Sequence, residues 1–392
     1  MDSRAVPDNA ESIYLSAEHV ALRSQVARFL AREVEPHGNA WEEQGHVPRE
    51  VLRKMGELGF FGITYPAEYG GSEADALSSL VFAEALSRST FGGFVVTALV
   101  HSDMASPHLV HAGSKAQLDK YLPGIVRGES ITAVAVTEPD AGSDVAALRT
   151  RARRDGDHWL LNGSKMFITN GVLADVYFVA ARTDPQAKGS RGLSMFIVEK
   201  GTAGLRVGRA LDKCGWRSSD TAELVFEDCR IPADNLLGQE HAGFYAVMQN
   251  FQRERIAAAA MAVGNALTAL RLTVEYVKTR KAFGSVLFDK QVIRQRLAML
   301  EAKTHAARQF MYHCAWLASQ KRDCVREVSM LKALTGELAN EVVYTCQQFH
   351  GGMGYMRESA IERLARDARV LSIGGGATEI MLEEVAKRFA PD

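Results

Sequence analysis

Val136-Thr137-Glu138-Pro139-Asp140-Ala141-Gly142-Ser143-Asp144 sits where the chain changes its hydrophobic period. Before it, from Ser16 to about Arg127, apolar residues recur at three- and four-residue spacings, as in Val20, Val26, Phe29 and Leu30 and again in Val51, Leu52, Met55 and Leu58. That is the spacing of helices with one buried face. Thr64 to Gly71 and Leu122-Pro123-Gly124 break it as loops. From Ile131 to Val136 the period drops to about 2. Short runs rich in Val, Ile, Phe and Thr follow at Lys165 to Thr169, Val176 to Ala180, Leu193 to Val198 and Glu223 to Phe226, with Asn162-Gly163, Asn170-Gly171 and Lys188-Gly189 as turn signals.

From Gly243 the helical period returns, with long segments at about 244–279, 291–320, 325–349 and 378–389. The expected architecture is α+β: an N-terminal helical domain over 1–130, a middle antiparallel β domain over 131–240, and a C-terminal four-helix bundle over 241–392. No Gly-x-Gly-x-x-Gly follows a strand, which disfavours a Rossmann nucleotide fold.

The 392 residues suffice for two or three domains with their own cores, and 47% hydrophobic with 24% charged residues is the composition of a globular protein. Forty-six basic residues against 47 acidic leave no field that draws in nucleic acid or an anionic membrane. No apolar stretch approaches the ~18 residues of a membrane span. Cys214, Cys229, Cys314, Cys324 and Cys346 are scattered and odd in number, as reduced thiols of a cytosolic protein are. The polar start, Met1 to Asp8, carries no secretory signal. A cytoplasmic location is the resulting expectation.

Small residues and a proline in the Val136–Asp144 loop let backbone donors approach a planar or phosphorylated ligand, and Thr137 and Ser143 add hydroxyls. Alone, the same residues make an ordinary turn. A second long pattern, Gln348-Phe349-His350-Gly351-Gly352-Met353-Gly354-Tyr355, continues through Glu358, Arg363 and Asp367. In this order, with helix-β-helix organisation, the two resemble the signatures of the acyl-CoA dehydrogenase family over essentially the whole chain. The long-chain type is most similar, through Leu161-Asn162-Gly163-Ser164-Lys165, Asp220-Thr221-Ala222-Glu223-Leu224, Gly243-Phe244-Tyr245 and Arg280-Lys281-Ala282-Phe283-Gly284.

That resemblance implies non-covalent FAD. It places the isoalloxazine against Val136, Thr137, Gly142 and Ser143 and against Phe167, Ile168 and Thr169. It assigns the pyrophosphate and adenine end to Arg280, Phe283, Gln291, Gln348, Gly351 and Gly352 across a subunit interface of a homotetramer, with Thr378 and Glu379 also at the cofactor. Ser143, Arg253, Arg255, Gly375 and Gly376 are implied at the substrate. Phe167 stands where a tryptophan is common, and Ala377 where a threonine is usual. Read alone, Arg280 is equally an ordinary helix-end cation.

The family often carries its catalytic glutamate just before a Gly-Thr pair, and here that position is Gly375. The resemblance to the long-chain and isovaleryl-CoA types puts the base at Glu254 instead. Glu254 shares a helix face with Phe251, Ala258 and Met261, where a carboxylate is costly unless paired or functional. A structural ion pair with Arg253 or Arg255 is the alternative reading. An α-proton next to a thioester is a poor acid, so a base and an oxyanion donor are both needed. The resemblance implies the Gly375 N–H and a ribityl hydroxyl of FAD as donors.

The expected activity is α,β-dehydrogenation of a medium-to-long or branched acyl-CoA to the trans-2-enoyl-CoA, with electrons passed to an electron-transfer flavoprotein. The alternatives are an oxidase using oxygen and a non-catalytic acyl-CoA-binding protein on the same fold. His101, His108 and His111 recur near one helical face without partnering acids and are not expected to hold a metal. Gly374-Gly375-Gly376 lacks the strand and lysine of a phosphate loop and reads as a flexible turn. Lys332, Lys387 and the basic residues near 363–369 read as solvated helix faces.

Overall fold

Seven α-helices come first among the described residues of the computed structural model, which are 12–389 apart from Lys188. The polar start, the lysine of the Lys188-Gly189 turn and residues 390–392 lie outside the described residues. The helices are α1 (Ala17–Phe29), α2 (Gly38–Gln44), α3 (Arg49–Glu57), α4 (Ala76–Leu86), α5 (Gly92–Leu99), α6 (Ser106–Ala112) and α7 (Lys115–Val126). Side-chain oxygens start several of them. Ser16 and Ser114 form capping boxes with His19 and Gln117, and Asp75 accepts from the Ser78 N–H, so orphan donors at three helix starts are satisfied.

Eight strands follow: β1 (Thr132–Ala135), β2 (Arg151–Asp155), β3 (His158–Thr169), β4 (Val176–Arg182), β5 (Leu193–Glu199), β6 (Leu205–Ala210), β7 (Thr221–Pro232) and β8 (Leu236–Leu237). Their order is β6-β7-β3-β2-β4-β5-β8, with β1 added beside β4. The sheet is mixed rather than purely antiparallel, because β1 runs parallel to β4 in register Thr132↔Val176 and β2 meets β4 in parallel at Arg151↔Arg182. The Arg151–Asp155 strand alternates one buried residue with exposed arginines, and β6 is largely exposed. Neither carries the apolar run that marks a strand in sequence. One face of the sheet closes on its own core around Trp159, Leu161, Tyr177, Phe196 and Phe226.

The last third holds α8 (Gly243–Thr279), a small hairpin β9 (Lys281–Ala282) and β10 (Ser285–Val286), α9 (Gln291–Ser319), α10 (Val325–His350), α11 (Ala360–Ala368) and α12 (Thr378–Ala386). The four expected helices are present, and short α11 is an addition to them. Helix α8 is long and apolar enough to cross a membrane, but 72% of that window is buried against the rest of the protein. It is the central strut: α10, α9 and α4 all pack on it.

Arg363 and Arg366 are not part of a solvated face, whereas Arg369 is exposed. Arg366 Nη2 lies 2.6 Å from Glu42 Oε2, the Arg363 Nε–H donates to the Thr90 carbonyl at 2.8 Å, and the Trp216 N–H donates to Asp367 Oδ1 at 2.6 Å. These bonds tie α11 to the first helical region and to the β region at once. Their buried sites give the Arg363 and Asp367 positions of the second motif a structural purpose.

Candidate active site

Glu254 lies on α8 with its residue surface 9% exposed. One helical turn earlier on the same face, Asn250 donates from Nδ2 to Glu254 Oε1 at 2.8 Å. That nitrogen is also 2.7 Å from the Met104 carbonyl and 3.2 Å from His108 Nε2. His108 Nε2 is 4.0 Å from Glu254 Oε1. Burial pushes the Glu254 carboxyl up to about 8, with the Asn250 amide and the Arg255 cation pulling the other way. Burial and neighbouring His111 push His108 down to about 3, so the imidazole beside the acid is neutral.

The alternative for Glu254, an ion pair with a neighbouring arginine, is not formed among the described residues. The Arg253 Nη2 donates to Thr64 Oγ1 at 2.7 Å and pairs with Asp103 Oδ1 at 3.3 Å. Arg255 is buried, with its guanidinium 5.8 Å from the Phe251 ring centroid, and burial lowers its pKa. Asn250 was legible in sequence as the residue four before a helical carboxylate. His108 was not, because its approach depends on how α6 crosses α8.

The glycine run forms a turn between α11 and α12. Lys332 of α10 is buried rather than solvated, and its Nζ donates to the Leu371 carbonyl at 2.8 Å and the Gly376 carbonyl at 2.7 Å. An ammonium replaces water as the partner of two loop carbonyls. Burial and the Arg255 cation push this lysine down to about 8. The loop reaches α10 closely because residue 336 is glycine: a Cβ there would lie 2.8 Å from the Leu371 oxygen. Gly375 has φ of 64° and is exposed, with no heavy atom within 4 Å of a built Cβ. Thr378 spends its hydroxyl on Glu337 Oε1 at 2.8 Å, and Glu379 is exposed in the first turn of α12.

The first set of expected cofactor residues converges. The Met166 N–H donates to the Thr137 carbonyl at 2.9 Å, and Lys165 Nζ reaches the Val136 carbonyl at 3.0 Å, which joins the 136–143 loop to the end of β3. At the β3 bulge Phe167 takes φ of 61° and leaves its ring 67% exposed. A bulky side chain held in the left-handed region costs energy and clusters at functional sites. The ring borders a cleft with Arg209, Leu211, Lys213 and Thr221. Gly142 and Ser143 are exposed at the loop, Thr169 is half-buried, and Val136 and Ile168 are buried behind them. An exposed aromatic wall, bare loop donors and cations at the rim fit a planar, phosphorylated group such as FAD.

Arg280, Phe283, Gln291, Gln348, Gly351 and Gly352 form a second set, all exposed at the end of the bundle where α8 and α10 finish together. There the Tyr276 and His350 rings stack at 4.3 Å. Among the described residues, no three His, Cys, Asp or Glu side chains converge as a metal site.

A buried acid on a bundle helix, a glycine turn and an aromatic-walled loop of a β region together define an oxidoreductase of the acyl-CoA dehydrogenase architecture. Residues 16–129, 133–229 and 241–390 match the N-terminal, middle and C-terminal domains of acyl-CoA dehydrogenases. The chain belongs to this family of FAD-dependent acyl-CoA oxidoreductases. It is 43% identical to the mitochondrial long-chain specific acyl-CoA dehydrogenase of Mus musculus over 96% of this chain and 87% of that one. It is 36% identical to the mitochondrial isovaleryl-CoA dehydrogenase of Pongo abelii, over 96% and 90%. The crystal structure of an acyl-CoA dehydrogenase from Geobacillus kaustophilus superposes with a TM-score of 0.93 at 41% identity, covering 97% of this chain and 100% of that one.

Proposed function

We propose that this protein dehydrogenates medium-to-long or methyl-branched acyl-CoA thioesters, with Glu254 as the base, FAD as the cofactor and an electron-transfer flavoprotein as the acceptor. The observation that carries the assignment is Glu254 itself, a buried carboxyl with one amide hydrogen bond and a pKa near 8. A base matched to working pH is what abstraction of a weakly acidic α-proton requires. Gly375 leaves no acid at the alternative position.

Each residue then has a task. Glu254 takes the α-proton, and an acyl chain bound against it excludes water and strengthens it as a base. The Gly375 N–H, on a turn fixed by Lys332, donates to the thioester oxygen as negative charge develops there. Ser143, Gly376, Arg253 and Arg255 are assigned to the approach of the substrate. Val136, Thr137, Gly142, Ser143, Phe167, Ile168 and Thr169 hold the isoalloxazine. Arg280, Phe283, Gln291, Gln348, Gly351 and Gly352 meet the pyrophosphate and adenine of a neighbouring subunit's FAD, with Thr378 and Glu379 nearby. Bound FAD supplies the acceptor for the β-hydrogen and its electron pair, so that loss of the α-proton leaves a trans-2-enoyl thioester.

A homotetramer is supported by apolar side chains left bare around the second set, including Phe283 at 97% and Tyr355 at 84% exposure. The likeness to long-chain and isovaleryl relatives supports the substrate range. Free thiols at all five cysteines support work in a reducing cytoplasm.

The test is anaerobic mixing of the holoenzyme with acyl-CoA. Glu254→Gln is expected to keep yellow FAD and to slow flavin bleaching by at least about a thousandfold. Bleaching at the wild-type rate removes Glu254 from the mechanism.

A further inference from the structure

The Asn250 amide nitrogen carries two hydrogens and lies near three polar atoms. They are the Met104 carbonyl at 2.7 Å, Glu254 Oε1 at 2.8 Å and His108 Nε2 at 3.2 Å. The Met104 oxygen can only accept. It therefore fixes which end of the amide points toward the acid, since turning the amide over would set oxygen against oxygen. Glu254 Oε1 always meets an N–H and never a carbonyl. The arrangement is not free, because Asn250 Oδ1 is left buried with no partner.

We propose that Asn250, anchored on the Met104 carbonyl, is a positioning residue that aims the Glu254 carboxylate and favours its proton-accepting form, opposing the burial that favours the neutral acid. This rests on Glu254 being the base. A donor to a carboxylate favours the charged state. The surrounding groups cannot supply that donor. His108 of α6 is neutral, with Nε2 already facing the amide, and His111 beyond it is also shifted down by burial. Arg253 on α8 is committed to Asp103. Arg255 acts only through its charge, which Glu384 of α12 also attracts and which Lys332 of α10 opposes as a like charge. Among the described residues, the one short hydrogen bond to Glu254 comes from Asn250.

The experiment follows single-turnover flavin bleaching of holoenzyme from about pH 6 to about pH 10 in wild type, Asn250→Leu, Asn250→Asp and Glu254→Gln. Wild type is expected to gain rate through a limb near pH 8. Asn250→Leu removes a hydrogen bond to a charged group and is expected to move that limb up by about one pH unit, so that the rate near pH 7 drops about tenfold while the high-pH plateau persists. Asn250→Asp, nearly the same shape but without the N–H, is expected to move it further. It carries the test if the leucine variant does not fold. A purely structural role lowers the rate at every pH and leaves the limb in place.

Proton exchange on binding an unreactive acyl-CoA thioether, measured by calorimetry in two buffers, is expected to shift in parallel without turnover. A limb that stays put in the folded variants overturns the role of Asn250, provided Glu254→Gln is inactive. Unimpaired bleaching in Glu254→Gln overturns the assignment of the base as well.

Discussion

Glu138 and Glu254 are both glutamates buried to more than nine-tenths, and the protein treats them in opposite ways. Glu138 stands in the 136–143 loop. Its Oε1 lies 2.7 Å from Lys165 Nζ and accepts from the Thr150 N–H at 2.9 Å, and its Oε2 accepts from the Arg149 N–H at 2.6 Å. Burial opposes the charge, but the Lys165 ammonium and these donors overcome it and hold the carboxyl below its usual value. Glu254 has one amide, and burial wins. A buried acid whose acceptor sites are filled is a strut that shapes the loop. One left mostly unfilled can exchange a proton with a substrate.

The largest expected effect is on the strut. Glu138→Gln strips the countercharge from a lysine with no exposed side-chain surface, and breaking a buried pair on one side costs about 3–5 kcal/mol. A thermal melt is expected to show a large drop in Tm. Glu254→Gln near pH 7 replaces a carboxyl that burial keeps mostly protonated and removes the stability cost that ionisation of the unfolded acid imposes on the wild type, so no comparable drop in Tm is expected. Equal losses in the two variants would erase the distinction between them.

The same pair should respond to pH with opposite signs. Glu254 keeps its proton in the folded state up to about 8, against an ordinary value near 4.5, so its stabilising contribution is full below about pH 4.5 and is lost as pH rises through about 8. Glu138, shifted down, contributes above its ordinary value and loses that contribution as pH falls through its folded value. Apparent Tm measured across this range should therefore decline less toward pH 8 in Glu254→Gln, by up to a few kcal/mol of stability. A wild-type-like slope in that variant means the folded-state acid titrates normally.

The lysines extend the contrast on a smaller scale. Lys165 has a carboxylate, whereas the bonds of Lys332 among the described residues go to the carbonyls of Leu371 and Gly376. Lys332→Met leaves those carbonyls unsatisfied, at about 1–3 kcal/mol. Because they flank Gly375, the turnover rate should fall by more than the binding of acyl-CoA does. A variant with lower stability and unchanged kcat would make Lys332 a strut like Lys165.

The sequence was most legible where one residue type carries the period. The helix through Glu254 and the apolar strands from Val176 to Val198 follow from spacing alone. Strand Arg151–Asp155 did not, because its charges face water and only Ala152 is buried. Lys332 was misread for a related reason: its Nζ is satisfied by a loop 39 residues away in the chain, so nothing in the local helical pattern marks it as buried. The interdomain bonds of Arg363 and Arg366 were hidden in the same way. At the candidate site, Glu254 and the 136–143 loop were legible through motif and spacing. The Met104 and His108 contacts to Asn250 arise from helix crossing, and a linear pattern does not contain them.

The smallest effect asks whether burial or helix position makes the base. Gly375 has φ of 64° and room for a Cβ. A glutamate there costs about 1–2 kcal/mol of backbone strain but meets no steric wall at its first carbon. Placed in the Glu254→Gln background, Gly375→Glu is expected to recover about ten- to a hundredfold of the lost bleaching rate while FAD stays bound. The new acid starts from an exposed turn and lacks the Asn250 amide. Its pH limb should therefore lie below the wild-type limb before substrate closes over it, because less burial means less upward pressure on its pKa. Recovery with that lower limb would show that reach to the α-carbon suffices for catalysis and that the buried helix sets the working pH. No recovery in a folded, FAD-loaded variant would show that the glycine turn now serves only as the oxyanion donor.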